Sequence, residues 1–232
     1  GWLSDSSFDS AYQSWMWKRH AGFDVVTFVS VGGSGTSFNH SLGRVPEMMW
    51  FKNRDRASQD WFVYHKDLHA SNPEKYKLEL NNTDTVDGPV NDYFEYSGGA
   101  GITATTASGG GFYNTGGGSG DNMLCLLFAS VDGISKVGYY DGQSSDLAIT
   151  TGFTPRFVLA KCTSHGGTYN HWYVFDSVRG AGSGNDKELW LDSNSAQTTT
   201  NDTIEFTSNG FTVKFNYGLN EPSRKYIYYC HA

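Results

Sequence analysis

A repeated pattern limits what this chain can fold into more than any other feature of its sequence. Pro46 corresponds to Pro155 and Trp61 to Trp172, so the spacing between matching positions stays between 109 and 111 residues. The matched segments follow one another in the same order: GRVPEMMWFKNR with GFTPRFVLAKCT, DWFVYHK with HWYVFDS, and NDYFEY with NDTIEF. Matches in one order with nearly constant spacing indicate two copies of one structural unit.

The repeat divides the chain into segments. They are an N-terminal docking segment (1–24), the first copy (25–130), a junction (131–136) and the second copy (137–232). Leu78 and Leu80 alternate with Lys77 and Glu79, as in a half-buried strand. Glycine-rich stretches separate such patterns and are typical of loops. The sequence therefore predicts an all-β, antiparallel, sandwich-like fold with two pseudo-repeated lobes.

The N-terminal segment differs from both copies. Four residues recur at helical spacing after a start rich in Ser and Asp and predict a short helix: Phe8, Tyr12, Trp15 and Met16. Trp2, Trp15 and Trp17 add a large apolar load to this terminus. Because an exposed cluster of Trp favours aggregation, we expect these rings to dock on the first lobe or at an interface between protomers.

Composition argues against several classes of protein. The 232 residues carry a formal net charge of −7, whereas nucleic-acid binding requires a basic surface. No apolar run reaches about 18 residues, so we predict no membrane insertion. The three cysteines lack CxxC spacing, which argues against a disulfide framework or a zinc site. We expect Cys125 and Cys230 to be buried thiols, and a bridge between them is the open alternative.

The sequence offers no signature of catalysis or of a cofactor. It contains no GxSxG, HExxH or phosphate-binding glycine motif, so we predict a protein that is not an enzyme and binds no cofactor. His65 with His69, or His165 with His171, could supply two metal ligands, but no carboxylate completes either set. We therefore predict no metal site. A glycan-degrading enzyme needs two carboxylates at a set separation, and that alternative stays open.

Residues that recur in both copies are expected to hold the scaffold, so residues that differ between the copies are better site candidates. Two loops differ most: 164–171 in the second copy and 65–72 in the first. Their aromatic and amide groups suit sugar recognition, by stacking and by pairing with hydroxyls. The predicted glycan-binding residues are His165, Tyr169, Asn170, His171, His65 and His69. Ordinary solvated loops are the alternative.

Several long segments resemble a known family. FDSAYQSWMWKRHAGFDVVTF, DNMLCLLFASVDGISKVGYY and the final KYIYYCHA, together with the repeated segments, carry the resemblance. The family is a two-repeat domain of unknown function found near the C-termini of tail-associated and other virion proteins of marine bacteriophages, cyanophages especially. The resemblance covers essentially the whole chain. It implies a phage structural protein and brings no established catalytic residues.

These inferences together predict a non-enzymatic bacteriophage virion module on the virion surface, in a tail fibre or a similar appendage. Its expected partners are other virion subunits and a host-surface glycan, with neither nucleic acid nor a membrane among them. Because single sugar contacts are weak, several copies acting together are expected to supply affinity. This argument and the resemblance favour a homo-oligomer, in particular a trimer. A glycan-degrading tail spike and a capsid decoration protein are the alternatives.

Overall fold

The chain folds into antiparallel β-sheets. A computed structural model describes residues 15–19, 21–32, 36–90, 93–94, 109–112, 118–166, 170–182, 184–215 and 218–232. These residues form fifteen strands and one turn of 3-10 helix at Pro73–Lys75, and every strand pair is antiparallel. The all-β, antiparallel prediction is confirmed. Within these ranges no helix is long and apolar enough to cross a membrane.

Two five-stranded sheets make up most of the molecule. The first sheet has the strand order β1 (Phe23–Val29), β7 (Asn122–Phe128), β3 (Met48–Asn53), β4 (Phe62–His65) and β5 (Leu78–Glu79). The second sheet has the order β8 (Ser135–Asp141), β15 (Lys225–His231), β10 (Phe157–Cys162), β11 (Tyr173–Asp176) and β12 (Glu188–Trp190). In each sheet, the strand that comes first in the chain (β1 or β8) is an edge strand. It pairs with the strand that comes last in that half of the chain (β7 or β15).

Backbone hydrogen bonds also match between the two sheets. The amide of Leu80 donates to the carbonyl of Trp61 at 2.9 Å, and the amide of Leu191 donates to the carbonyl of Trp172 at 3.0 Å. Each Trp lies directly before the fourth strand of its sheet, β4 or β11. The two tryptophans that correspond in the sequence therefore occupy corresponding places in the two sheets.

The two five-stranded sheets pack against each other through a central core. The first sheet contributes Phe23, Met48, Trp50, Val63, Leu78 and Phe128. The second sheet contributes Val137, Phe157, Leu159, Trp172, Val174, Ile227 and Tyr229. Because each inner face buries its apolar side chains against the other, removal of water from this core depends on both sheets together. The arrangement is sandwich-like.

Smaller sheets cover the outer faces. The strands β2 (Thr36–Asn39) and β6 (Gly109–Phe112) pair in a two-stranded sheet, and Phe38 of β2 joins the apolar cluster on the outer face of the first sheet. The strands β13 (Ile204–Thr207), β14 (Gly210–Val213) and β9 (Leu147–Thr150) cover the second sheet. We call each large sheet with its covering sheet the first and the second lobe.

The described part of the N-terminal segment lies between the lobes. Trp17 stacks on Phe23 with ring centroids 5.6 Å apart and meets Phe157 of the second lobe edge-on at 5.8 Å. The Trp15 indole N–H donates to Asp176 at 3.0 Å. Residues 15–19 form no helix. The rest of the predicted helix, and Trp2, lie outside the described residues.

The three cysteines are buried free thiols. Cys125 belongs to the outer cluster of the first lobe, whereas Cys162 and Cys230 belong to the outer cluster of the second. The central core lies between these two clusters. No bridge joins Cys125 to Cys230, because the two side chains face opposite outer surfaces of the sandwich.

Candidate functional site

Two grooves lie where the lobes meet, and each is bordered by one of the two loops that the sequence singles out. The larger groove has a volume of about 480 Å³. The first lobe lines it with Lys66, Asp67, Leu68, His69 and Ala70, and the second lobe with Tyr139, Thr163, Lys225, Tyr226 and Ile227. We call it the Tyr139 groove. It is a surface that neither lobe could form alone.

Tyr139 presents a largely exposed aromatic side chain in this groove. It lies on the edge strand β8 and is 57% exposed. Side chains two apart on a strand share a face, and Val137 on the same face lies in the central core. Tyr139 therefore points to the side on which the other lobe lies, but past the end of the core. Its ring is available to a ligand in the groove.

Charged side chains line the same groove. Lys66 forms an ion pair with Glu47 at 2.7 Å. Asp67 has one buried carboxylate oxygen without a hydrogen-bond partner among the described residues, and burial raises the pKa of its carboxyl. Lys225, at the start of β15, is exposed. An aromatic face beside lysine and carboxyl groups is a combination that suits sugar rings.

The two histidines of loop 65–72 have different environments. His65 is fully buried, so the structure removes it from the predicted contact residues. Its Nδ1 accepts a hydrogen bond from the amide of Asp67 at 3.1 Å, and its Nε2 lies 3.5 Å from the carbonyl oxygen of Tyr228 in the second lobe. Burial lowers the pKa of His65 to about 3, so this imidazole is neutral and joins the lobes.

His69 is exposed and lines the Tyr139 groove. Its ring stacks on Tyr76 with centroids 4.7 Å apart and planes 11° apart. Its Nδ1 accepts hydrogen bonds from the amides of Ser71 and Asn72, each at 3.2 Å. The loop therefore holds His69 in a fixed orientation at the rim of the groove, where it can contact a ligand.

Asn170 of loop 164–171 serves packing between the lobes. Asn170 is only 2% exposed, and its side-chain amide donates to the carbonyls of Thr83 and Asp84 in the first lobe at 2.9 and 3.3 Å. This corrects the expectation that Asn170 faces a ligand. His165 is exposed. Tyr169 lies outside the described residues.

His171 is already engaged by its own lobe. Its ring stacks on Trp190 with centroids 4.0 Å apart and planes 2° apart. Its Nδ1 lies 2.6 Å from an oxygen of Asp192, whose other oxygen accepts the amide of Trp172 at 2.7 Å. One face of the imidazole and one nitrogen are therefore taken, which leaves His171 less to offer a sugar than the sequence suggests.

A buried lysine holds Asn170, the residue that contacts the first lobe, and sequence reasoning did not identify this role. Lys161 is fully buried, and its ammonium donates to the carbonyl of Asn170 at 2.5 Å. Burial lowers the pKa of Lys161 to about 8. Lys161 matches Lys52 in the two similar sequence segments, and this match is the signal that could have identified it. The indole of Trp172 donates to the carbonyl of Glu79 in the first lobe at 2.8 Å.

The smaller groove, of about 380 Å³, is bordered by Gly166 of loop 164–171. Lys77 dominates its chemistry. The Lys77 ammonium pairs with Glu79, lies 3.5 Å from a carboxylate oxygen of Asp87, and sits 4.4 Å from the centre of the Phe62 ring. The carboxylates of Glu79 and Asp87 are thus held by a lysine of the same lobe. We regard this Lys77 groove as a structural ion-pair cluster.

No group of three or more His, Cys, Asp or Glu side chains that could hold a metal occurs in the described part of the chain.

The chain matches a known protein family over most of its length. Residues 9–232 match the model of the domain of unknown function DUF7483. The chain therefore belongs to this family. No curated protein and no solved structure matches the chain.

Proposed function

We propose that this chain is a non-enzymatic bacteriophage virion module, in a tail fibre or a similar surface appendage, that binds a host-surface glycan in the Tyr139 groove. The phage assignment rests on the resemblance of the long segments described above. The binding assignment rests on one observation: a largely exposed tyrosine ring, 57% accessible, in an open groove that polar side chains border. Sugar rings stack on such faces, and neighbouring polar groups orient their hydroxyls.

We further propose that the two lobes are copies of one unit. The matched sequence segments, the common strand order and the paired hydrogen bonds of Trp61 and Trp172 support this. Strand register places Thr27 of β1, opposite Leu124, where β8 has Tyr139 opposite Ile227. The aromatic face is thus a feature of one lobe alone, as expected for a residue that does not hold the shared scaffold.

A binding role fits the groove better than glycan hydrolysis does. Hydrolysis takes two carboxyl groups on either side of the scissile bond, whereas Asp67 is the one carboxylate among the described lining residues. Release of reducing ends from the same polysaccharides would reveal an enzyme instead. A capsid decoration protein would bind no glycan at all.

Affinity in a tail appendage is expected to come from several copies. One stacked ring and a few hydrogen bonds contribute about 1 kcal/mol each after water is displaced. Presentation of several identical grooves on one appendage raises the overall affinity without new contacts. We therefore propose a homo-oligomer, with a trimer favoured, that also contacts other virion subunits.

The change Tyr139→Ala tests the groove. We expect the variant to lose most binding to host polysaccharide, because the stacking face is gone, and to retain its fold, because the ring is exposed. Thr27→Ala is the matched control, since it truncates an exposed side chain at the corresponding position of the other sheet. The measurements are polysaccharide binding, adsorption to host cells and the native mass of each variant.

Both variants should have the same native mass as the wild type. Loss of binding by Tyr139→Ala but not by Thr27→Ala would support the groove. Equal binding by all three proteins would place the glycan contact elsewhere, and a monomeric wild type would contradict the role of avidity.

A further inference from the structure

We propose that the Tyr139 groove selects acidic glycans, that is, polysaccharides whose sugars carry carboxylate or sulfate groups, with Lys225 as the residue that contacts the anionic group. This inference rests on the proposed function and names its ligand class. It is motivated by the contrast between the charge of the groove and the charge of the chain as a whole.

The groove is lined by more lysines than carboxylates, although the chain as a whole is acidic. The formal net charge of the whole chain is −7, yet the lining residues include Lys66, Lys225 and a single carboxylate, Asp67. A concave surface focuses the field of the charges that line it, so a lysine without an ion-pair partner attracts an anionic ligand more strongly there than on a flat surface. The net negative charge of the chain repels an anionic ligand, so binding of such a ligand requires a local positive charge in the groove.

Lys225 is the cation that can supply this attraction. Lys66 is already paired with Glu47 at 2.7 Å. Lys225 is exposed and forms no ion pair with a carboxylate of the described residues. It begins β15, which neighbours the strand that carries Tyr139. A sugar stacked on Tyr139 would therefore lie near an unpaired ammonium.

Two carboxylates oppose this attraction. Asp67 keeps one oxygen buried, and burial raises the pKa of its carboxyl. Asp141 lies directly opposite Lys225 in the strand register but does not line the groove. In a cross-strand pair of this kind the lysine can turn to a stronger ligand, because exposed ion pairs are weak.

The experiment compares matched polysaccharides with the intact protein. The probes are a carboxylated polysaccharide with its carboxyl-reduced form, and a sulfated polysaccharide with its desulfated form. The proteins are the wild type, Lys225→Gln, Tyr139→Ala, and Lys187→Gln as a control. Lys187 is exposed elsewhere in the second lobe, so its variant makes the same change in net charge.

We expect the wild type to bind the acidic forms more tightly than the neutral forms, and less tightly as salt rises. Lys225→Gln should weaken binding of the acidic form about two- to fivefold, as for a partly exposed ion pair, and leave binding of the neutral form unchanged. Lys187→Gln should bind like the wild type. The two polysaccharide pairs show whether the anionic group is a carboxylate or a sulfate.

Three results would overturn the inference. The first is equal wild-type binding to charged and neutral forms with loss on Tyr139→Ala, which would keep the glycan site and reject its charge selectivity. The second is an equal loss from both lysine variants, which would indicate non-specific attraction. Absence of binding to every polysaccharide would reject the proposed function itself.

Discussion

At the scale of single residues, several buried polar groups hold this fold, and Asp24 is the best defined. Its carboxylate is fully buried and accepts hydrogen bonds from the amides of Val25 at 2.8 Å and Ser41 at 2.6 Å, and from the Ser41 hydroxyl at 2.8 Å. Arg19 also donates to it. Burial alone would raise the pKa of Asp24, but these donors outweigh it and lower the pKa from 3.8 to about 2.

This shift predicts a pH-dependent contribution to stability. A carboxyl whose pKa is lower in the folded state stabilises the fold above its unfolded pKa and loses that contribution as pH falls through its folded pKa. Between about pH 5 and pH 2 the wild type should therefore lose about 2 kcal/mol that Asp24→Asn does not lose. Urea unfolding of both proteins across this range measures the difference, and parallel curves would contradict it.

At the scale of structural elements, the N-terminal segment acts as part of the core. Trp17 contacts aromatic rings of both lobes: Phe23, Trp50 and Phe128 of the first and Phe157 of the second. Aromatic pairs of this kind stabilise a fold beyond the area that they bury. The segment therefore helps to hold the lobes together, although it belongs to neither sheet.

Removal of this ring should be costly. Trp17→Ala is expected to lower the free energy of unfolding by about 3 kcal/mol, because it leaves a cavity between the lobes. Lys18→Ala is the control, since Lys18 is exposed and surface changes stay within about 0.5 kcal/mol. Chemical denaturation measures both. Equal midpoints for Trp17→Ala and the wild type would show that the segment does not stabilise the lobes.

At the scale of the whole molecule, the central core predicts that the two lobes unfold as one cooperative unit. Both inner faces contribute apolar side chains to it, and polar contacts such as Trp172 to Glu79 at 2.8 Å cross the same boundary. Neither lobe keeps its inner face buried without the other. Unfolding of one lobe should therefore expose the core of the second.

A substitution in one lobe should thus weaken both. Leu159→Ala, in the second sheet, is expected to reduce stability by about 2–5 kcal/mol, and the loss should extend to β3 of the first sheet. Native-state hydrogen exchange measures this directly, because the slowest amides report global opening. Retained protection in β3 while β10 exchanges quickly would show that the lobes unfold separately.

The candidate site was predictable only in part. The loop 65–72 borders the Tyr139 groove, and His69 lies there as a predicted contact residue. The sequence predicts His65 and Asn170 as ligand contacts, yet both are buried and contact the opposite lobe. Tyr139 was missed, although it is a large aromatic residue at an alternating position of an edge strand. No local pattern shows that the opposite lobe ends just before it.

The sequence alone determined the all-β character of this protein, because alternation of apolar residues is a property of each strand and needs no partner. It also predicts a repeat in which Trp61 corresponds to Trp172, and each of these residues directly precedes a strand. Only the tertiary structure decided which polar groups are buried and where a groove opens. Exposure of His65, Asn170 and Tyr139 depends on how far one sheet extends over the other, and that overlap results from contacts between residues distant in the chain.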